Sequence, residues 1–273
     1  MSKAFVDTTV LTDSLLKIGA VSKAANDALK RFETTELPVY TIKEFKAGPL
    51  KNYCWIHNKL ALLGSWAKTL RALHGMSLSP KRYTTATAIE ALQGAAARMT
   101  NANLESLAQK YGQAANPDRL VCDQYRLTLK TKILKAWSRR RAITTHVVCP
   151  LSCYKEVDAY EHNSLIEVKP TSCDVEVECC LAPELRSRIS DLEKIRAVVL
   201  KQPKTRENER RARALRQLIR KPKAVVSEQT CRDLGDAFFA LFAPVDSVIL
   251  TTNTRDHAPL AAALGKKTEA PQP

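Results

Sequence analysis

Apolar positions along the chain follow two rhythms. Ala4-Phe5-Val6 and Val248-Ile249-Leu250 are short runs without charge, which predict strands covered on both faces. Between them, apolar residues recur at three and four, the spacing of amphipathic helices. Val10, Leu11, Leu15 and Ile18 follow the first strand in this way. Val21, Ala24, Ala25, Ala28 and Leu29 stripe a helix over Val21–Phe32. Ile56, Leu60, Leu63, Ala67 and Leu70 predict one helix from Lys51 to Gly75. Tyr83–Tyr111 is rich in Ala and helical, with a break near Thr100-Asn101, and Leu120–Arg141 resumes after the turn at Asn116-Pro117-Asp118. Further helices run from Pro183 to Lys201 and from Arg206 to Arg220. Gly48-Pro49, Pro203 and Pro222 punctuate the series.

The pattern changes at Ala142. Thr144–Val148, Leu165–Val168 and Asp174–Glu178 read as short strands. The last alternates charge with Val, as a half-exposed strand does. Cys149, Cys153, Cys173, Cys179 and Cys180 fall in this region, with His146 and His162 nearby. Paired thiolates on a small β-rich module suit tetrahedral zinc, so Cys149, Cys153, Cys173 and Cys179 are candidate ligands of a structural Zn²⁺. Buried free thiols are the alternative, since the spacings are C-x3-C and C-x5-C-C rather than C-x2-C. Eight cysteines in a chain read as cytoplasmic argue against a disulfide framework. No apolar run approaches ~18 residues, so no membrane span is predicted.

Charge adds a partner. Arg126–Arg141 holds seven basic residues and no acid, and Lys201–Lys223 holds ten basic residues and two acids. Those two segments account for the whole net charge of +15. Concentrated basic segments favour a polyanionic partner such as nucleic acid. The alternatives are a solvated face or an acidic protein partner. Arg139, Arg140, Arg141, Arg210, Arg211 and Arg213 are the candidate phosphate contacts. Trp137 stands beside the first three, either to stack a base or to anchor the core.

Carboxylates supply the candidate chemistry. Asp7-Thr8-Thr9 directly follows the first strand, and Thr251-Thr252-Asn253-Thr254-Arg255-Asp256-His257 directly follows the last apolar one. In an open parallel sheet that edge is where ligands bind. Glu44 lies in the apolar frame Pro38–Phe45, where Thr41 is placed to cap a helix. Asp233 and Asp236 share a helix face ahead of Ala237–Phe242. Each acid alone could be a cap or a solvated residue, Asp7 above all. Converging, they would repel one another unless a cation were present.

Together these features resemble the PIN-domain nuclease family: Asp7-Thr-Thr-Val-Leu, Glu44, Asp236-Ala before an apolar helix, and strand-Thr-Thr-Asn-Thr-Arg-Asp256-His. The resemblance covers residues 1–48 and 224–265. It implies an α/β fold, a small parallel sheet flanked by helices, with the acids at the carboxyl edge. The middle, 49–223, then completes the core and adds a helical, basic insertion with the Cys-rich segment 142–181, while 266–273 is a loose tail. The resemblance further implies a metal-dependent endoribonuclease. Asp7, Glu44, Asp236 and Asp256 would hold Mg²⁺ or Mn²⁺, with Asp233 or Asn253 as substitutes and Thr8 or Thr252 near a bound water. Single-stranded RNA is the implied substrate, DNA the alternative, and an antitoxin or a second copy of the chain a possible partner. The rival expectation is a non-catalytic nucleic-acid- or ribonucleoprotein-binding module that keeps the fold.

Overall fold

The computed structural model describes residues 2–77, 82–98, 101–112, 116–148, 160–168, 184–185, 187–221 and 226–272. The expected strand at Asp174–Glu178 and the cysteines at 149, 153, 173, 179 and 180 lie outside them.

β1 (Lys3–Val6) is the middle of a five-stranded parallel sheet. β2 (Thr34–Pro38) and β3 (His146–Val148) lie on one side, β6 (Ser247–Leu250) and β7 (Lys267–Glu269) on the other, in the order β3-β2-β1-β6-β7. The chain therefore builds outward from β1 in one direction, returns, and builds in the other. The switch point lies between β1 and β6, where ligand sites of such sheets are found.

Both faces of the sheet are covered, as the uncharged strands predict. Ala4 and Val6 point into one apolar layer, and Phe5 into the other. Leu250 and Ile249 alternate in the same way. The first layer is built by α1 (Thr8–Leu15), α2 (Gly19–Lys30), α4 (Lys51–Leu63) and α8 (Pro117–Ile143). Against the second face pack α9 (Ile189–Val199), α10 (Arg206–Arg220), α12 (Asp236–Phe242) and α13 (Thr254–Ala262). Tyr40 stacks on Phe238 at 4.6 Å, and Phe5 meets Phe239 edge-on at 6.0 Å. Aromatic pairs of this kind add to the area they bury.

Several helices differ from the sequence pattern for identifiable reasons. The expected Lys51–Gly75 helix is two, α4 and α5 (Trp66–Ser77), because Gly64 turns left-handed at φ 56. Gly48-Pro49 does not break the helical run. A π-helical turn over Lys46–Leu50 accommodates the proline and joins α3 (Val39–Phe45) to α4. Thr41 does not cap α3: Pro38 holds the N-cap position without a side-chain bond, and the Thr41 hydroxyl donates to the Val6 carbonyl at 2.9 Å. The Ala-rich stretch breaks as expected into α6 (Arg82–Ala96) and α7 (Asn101–Tyr111). β4 (Tyr160–His162) and β5 (Leu165–Glu167) form a separate antiparallel pair.

β3, from the middle of the chain, pairs with β2, so part of the middle completes the sheet. The C-terminal stretch is no loose tail. β7 pairs with β6 from Val248↔Lys267 to Leu250↔Glu269, and Arg31 ion-pairs with Glu269. Among the described residues no helix is long and apolar enough to cross a membrane.

Candidate active site

Register brings the first site residues together. Val6 lies opposite Leu250, and the Asp7 amide donates to the Leu250 carbonyl at 3.0 Å. Asp7 and Thr251 therefore leave the sheet side by side, 244 residues apart in sequence. The Asp7 carboxylate is almost fully buried. Its Oδ1 accepts from the Thr8 amide at 2.6 Å. Its Oδ2 accepts from the hydroxyls of Thr9 at 2.7 Å and Thr251 at 2.8 Å. Asp7 is thus both the N-cap of α1 and a member of a wider cluster.

Glu44 arrives on α3. Its Oε2 accepts from the Thr8 hydroxyl at 2.6 Å, so one residue links it to Asp7. Burial raises the Glu44 carboxyl to about 7, with the charge of Asp7 adding to the effect and hydrogen bonds from Thr8 and Tyr40 opposing it. The Tyr40 phenol is pushed well up, chiefly by burial and then by Glu44.

Asp236 opens α12, after α11 (Glu228–Leu234) and the single link Gly235. Gly235 holds φ 48 and ψ −127, a combination side chains resist, and a Cβ there would stand 3.0 Å from Arg211 Nη2. Asp236 Oδ2 accepts from Arg211 Nη2 at 2.9 Å. Its Oδ1 lies 3.3 Å from His257 Nε2, which is also 3.6 Å from Asp7 Oδ2. Burial pushes the Asp236 carboxyl up, but the hydrogen bond and charge of His257, then Arg211, outweigh it and hold the pKa below the ordinary value. For His257 burial acts downward, yet the bond to Asp236 and the charge of Asp7 leave its pKa raised. Its ring meets Phe239 edge-on at 5.1 Å, and its buried Nδ1 has no hydrogen-bond partner among the described residues.

Three of the expected acids, Asp7, Glu44 and Asp236, are therefore brought together. Asp256 is not among them: it lies in the first turn of α13, is half-buried, and accepts instead from Asn253 at 3.0 Å and Arg255 at 3.3 Å. The next residue, His257, turns inward in its place. Asn253 precedes α13 and points its amide at Asp256, away from the cluster. Asp233 accepts from Gln229 on α11 at 2.7 Å. Thr252 contributes its amide, which donates to the Thr9 hydroxyl, and its side chain is exposed.

The basic candidates divide similarly. Arg139, Arg141 and Arg213 are exposed and Arg210 is half-buried. Arg140 is buried, with its guanidinium 3.4 Å from the Trp137 ring centroid and donating to the Trp137 carbonyl. Trp137 is a core anchor at 4% exposure. Arg211 is 1% exposed and serves Asp236, Glu207, Asn208 and the Leu234 carbonyl. Neither Arg140 nor Arg211 is on the surface that the sequence expectation required.

The donor chemistry of Asp7, Glu44 and Asp236 suits a hard divalent cation, which takes oxygen ligands. As arranged, the carboxylates are not closed around a common point. Among the described residues no three His, Cys, Asp or Glu side chains form a ready metal site. His257 stands between Asp7 and Asp236, and Arg211 takes the outer oxygen of Asp236, so Arg211, joined by His257 when protonated, offsets the clustered negative charge. Cys54 and Cys122 are buried free thiols, and burial raises the first to about 12 and the second to about 11. No protein-family model, curated protein or solved structure matches the chain.

Proposed function

We propose that the chain is a ribonuclease that hydrolyses phosphodiester bonds in single-stranded RNA. Asp7, Glu44 and Asp236 form its reaction centre and hold Mg²⁺ or Mn²⁺. The observation that carries this reading is their convergence from three distant segments at the switch point of a parallel sheet. Gathering one buried and two half-buried carboxylates near one another costs stability. A fold alone would do better with apolar residues there.

Hydrolysis bonds a water oxygen to phosphorus and breaks a P–O bond, so charge grows on the attacking and leaving oxygens. The ion, when bound, eases loss of a proton from water and offsets that charge. The chain's own residues do the rest. Thr8, Thr9 and Thr251 orient Glu44 and Asp7 through short hydroxyl bonds, which preorganises the acids. Asp236 stays ionised near neutral pH because His257 and Arg211 hold its pKa down. Glu44, raised to about 7, is placed to carry a proton near neutral pH. Cation binding would compete with Arg211 and with a proton on His257.

That same neutralisation favours a second reading, a nucleic-acid- or ribonucleoprotein-binding module in which the acids form a closed polar core. One experiment separates the two. Labelled single-stranded RNA and the matching DNA are incubated with the full chain and Mn²⁺ or EDTA, beside Asp7→Asn and Asp256→Asn. The ribonuclease reading expects Mn²⁺-dependent cutting of RNA. Asp7→Asn should lose at least about 100-fold, since even outer-shell changes cost 10–100-fold, and should still bind RNA. Asn caps helices as well as Asp, so the fold is kept. Asp256→Asn should cut at close to the parent rate. Cutting retained by Asp7→Asn would overturn the assignment, and binding without cutting would select the second reading.

A further inference from the structure

Beside the acid cluster, α10 and α11 enclose an open groove of about 450 Å³. Arg206 and Arg210 line it from α10, one turn apart on the same helix face. Arg232 and Gln229 line it from α11, and Gly235 ends it. Its two carboxylates are already engaged: Glu207 accepts from Arg211 at 3.0 Å, and Asp233 accepts from Gln229 at 2.7 Å. Among the described residues no aromatic ring lines the groove.

The groove and the acid cluster share a wall. Gly235 borders the groove, and the next residue is Asp236. Arg211, the neighbour of Arg210, passes under Gly235 and binds the Asp236 carboxylate. A single turn of α10 therefore turns two guanidinium groups to the groove and one to the cluster. Arg213, exposed seven residues after Arg206, continues the same face beyond the groove.

We propose that this groove seats the sugar-phosphate backbone of single-stranded RNA on one side of the bond to be cut. The proposal rests on the ribonuclease reading for the word "cut", and on the groove alone for binding. Guanidinium forks match phosphate oxygens in geometry and charge. The polar lining does not suit an apolar ligand. Without a ring to stack on, the subsite reads backbone rather than base, so it tolerates any sequence.

The test compares the full chain with the double variant Arg206→Gln/Arg210→Gln. A charge-matched control, Lys23→Gln/Lys68→Gln, removes two exposed charges from α2 and α5. Affinity for labelled single-stranded RNAs of unrelated sequence is measured in EDTA across a salt series, and KM and kcat are measured with Mn²⁺. The double variant should bind more weakly, with a log–log salt slope shallower by roughly 1.4, at about 0.7 per lost phosphate contact on a single strand. It should raise KM more than it lowers kcat, by the same factor for every sequence. The control should change neither. Unchanged affinity and KM in the double variant, with the parent still cutting, would overturn the groove and leave the ribonuclease reading standing. A parent that binds but never cuts, with binding lost in the double variant, would support the groove and end the ribonuclease reading. A parent that does not bind RNA would overturn both.

Discussion

Asp7 fills the N-cap of α1 and accepts from Thr8, Thr9 and Thr251 at once. A capping role and a site role are thus not alternatives for this residue. The sequence could not separate them, because a cap is local and the contact with Thr251 depends on strand register. Asp256 and His257 make the opposite case. They are adjacent, and only the phase of α13 decides which turns inward; the apolar packing of Leu260 and Ala261 sets that phase and carries His257 into the core. Glu44 yields a prediction at this scale. Its folded pKa of about 7 lies above the ordinary value of 4.5, so the folded form takes up a proton between those values. Stability attributable to Glu44 is then intact below about 4.5 and is lost as pH rises through 7. In EDTA, Glu44→Gln should therefore be more stable than the parent at pH 8, by on the order of 1–3 kcal/mol after allowing for solvent screening of a half-buried group. The difference should vanish near pH 4.5. Urea melts at the two pH values measure it; a variant less stable at pH 8 would mean that the ionised carboxylate is well compensated.

At the scale of elements, α10 shows how far pattern carries and where it stops. Its boundaries, Arg206–Arg220, were legible from Ala212, Leu215, Leu218 and the flanking prolines. Its basic character suggested a surface that binds phosphates, and Arg206, Arg210 and Arg213 fit that. Arg211 does not, because it lies next to the apolar stripe and faces Asp236. A buried guanidinium needs partners on every side, and it has four. The α11–α12 junction is as demanding. Gly235 must hold a conformation that excludes Cβ, under a guanidinium 3.0 Å away. Gly235→Ala should cost about 1–3 kcal/mol in stability, measured by urea unfolding, and should displace Asp236 from Arg211. An alanine variant of parental stability would show that the link can relax without moving the acid.

At the scale of the whole molecule, the sheet gathers strands from the first residues, the middle and the last. β7 matters more than a terminal position suggests. The Glu269 carbonyl accepts from the Thr251 amide at 3.0 Å, and Thr251 in turn holds Asp7. Lys266 donates to the carbonyls of Ala240 and Leu241 at the end of α12. Ending the chain at Gly265 should therefore destabilise it by at least about 2 kcal/mol, from lost hydrogen bonds alone. It should also impair whatever chemistry Asp7 supports. A truncated chain with an unchanged urea midpoint would restore the view of these residues as a dispensable tail.

The order of apolar runs determined that this is an α/β chain with β1 and β6 buried on both faces, because uncharged strands need cover on each side. It also located most helices and placed Asp7 and the Thr251 loop at strand ends. Charge clustering marked α8 and α10 as the basic helices. Only the tertiary structure decided the partners: β3 joined from the middle and β7 from the end, His257 facing in rather than Asp256, and Arg211 beside Asp236 rather than at the surface. Periodicity is a property of neighbours three or four residues apart. Beyond the local bonds of Thr8 and Thr9, the acid cluster is held by contacts between residues far apart in sequence, 244 for Thr251 and Asp7, and no local pattern encodes which distant groups will offset one another's charge.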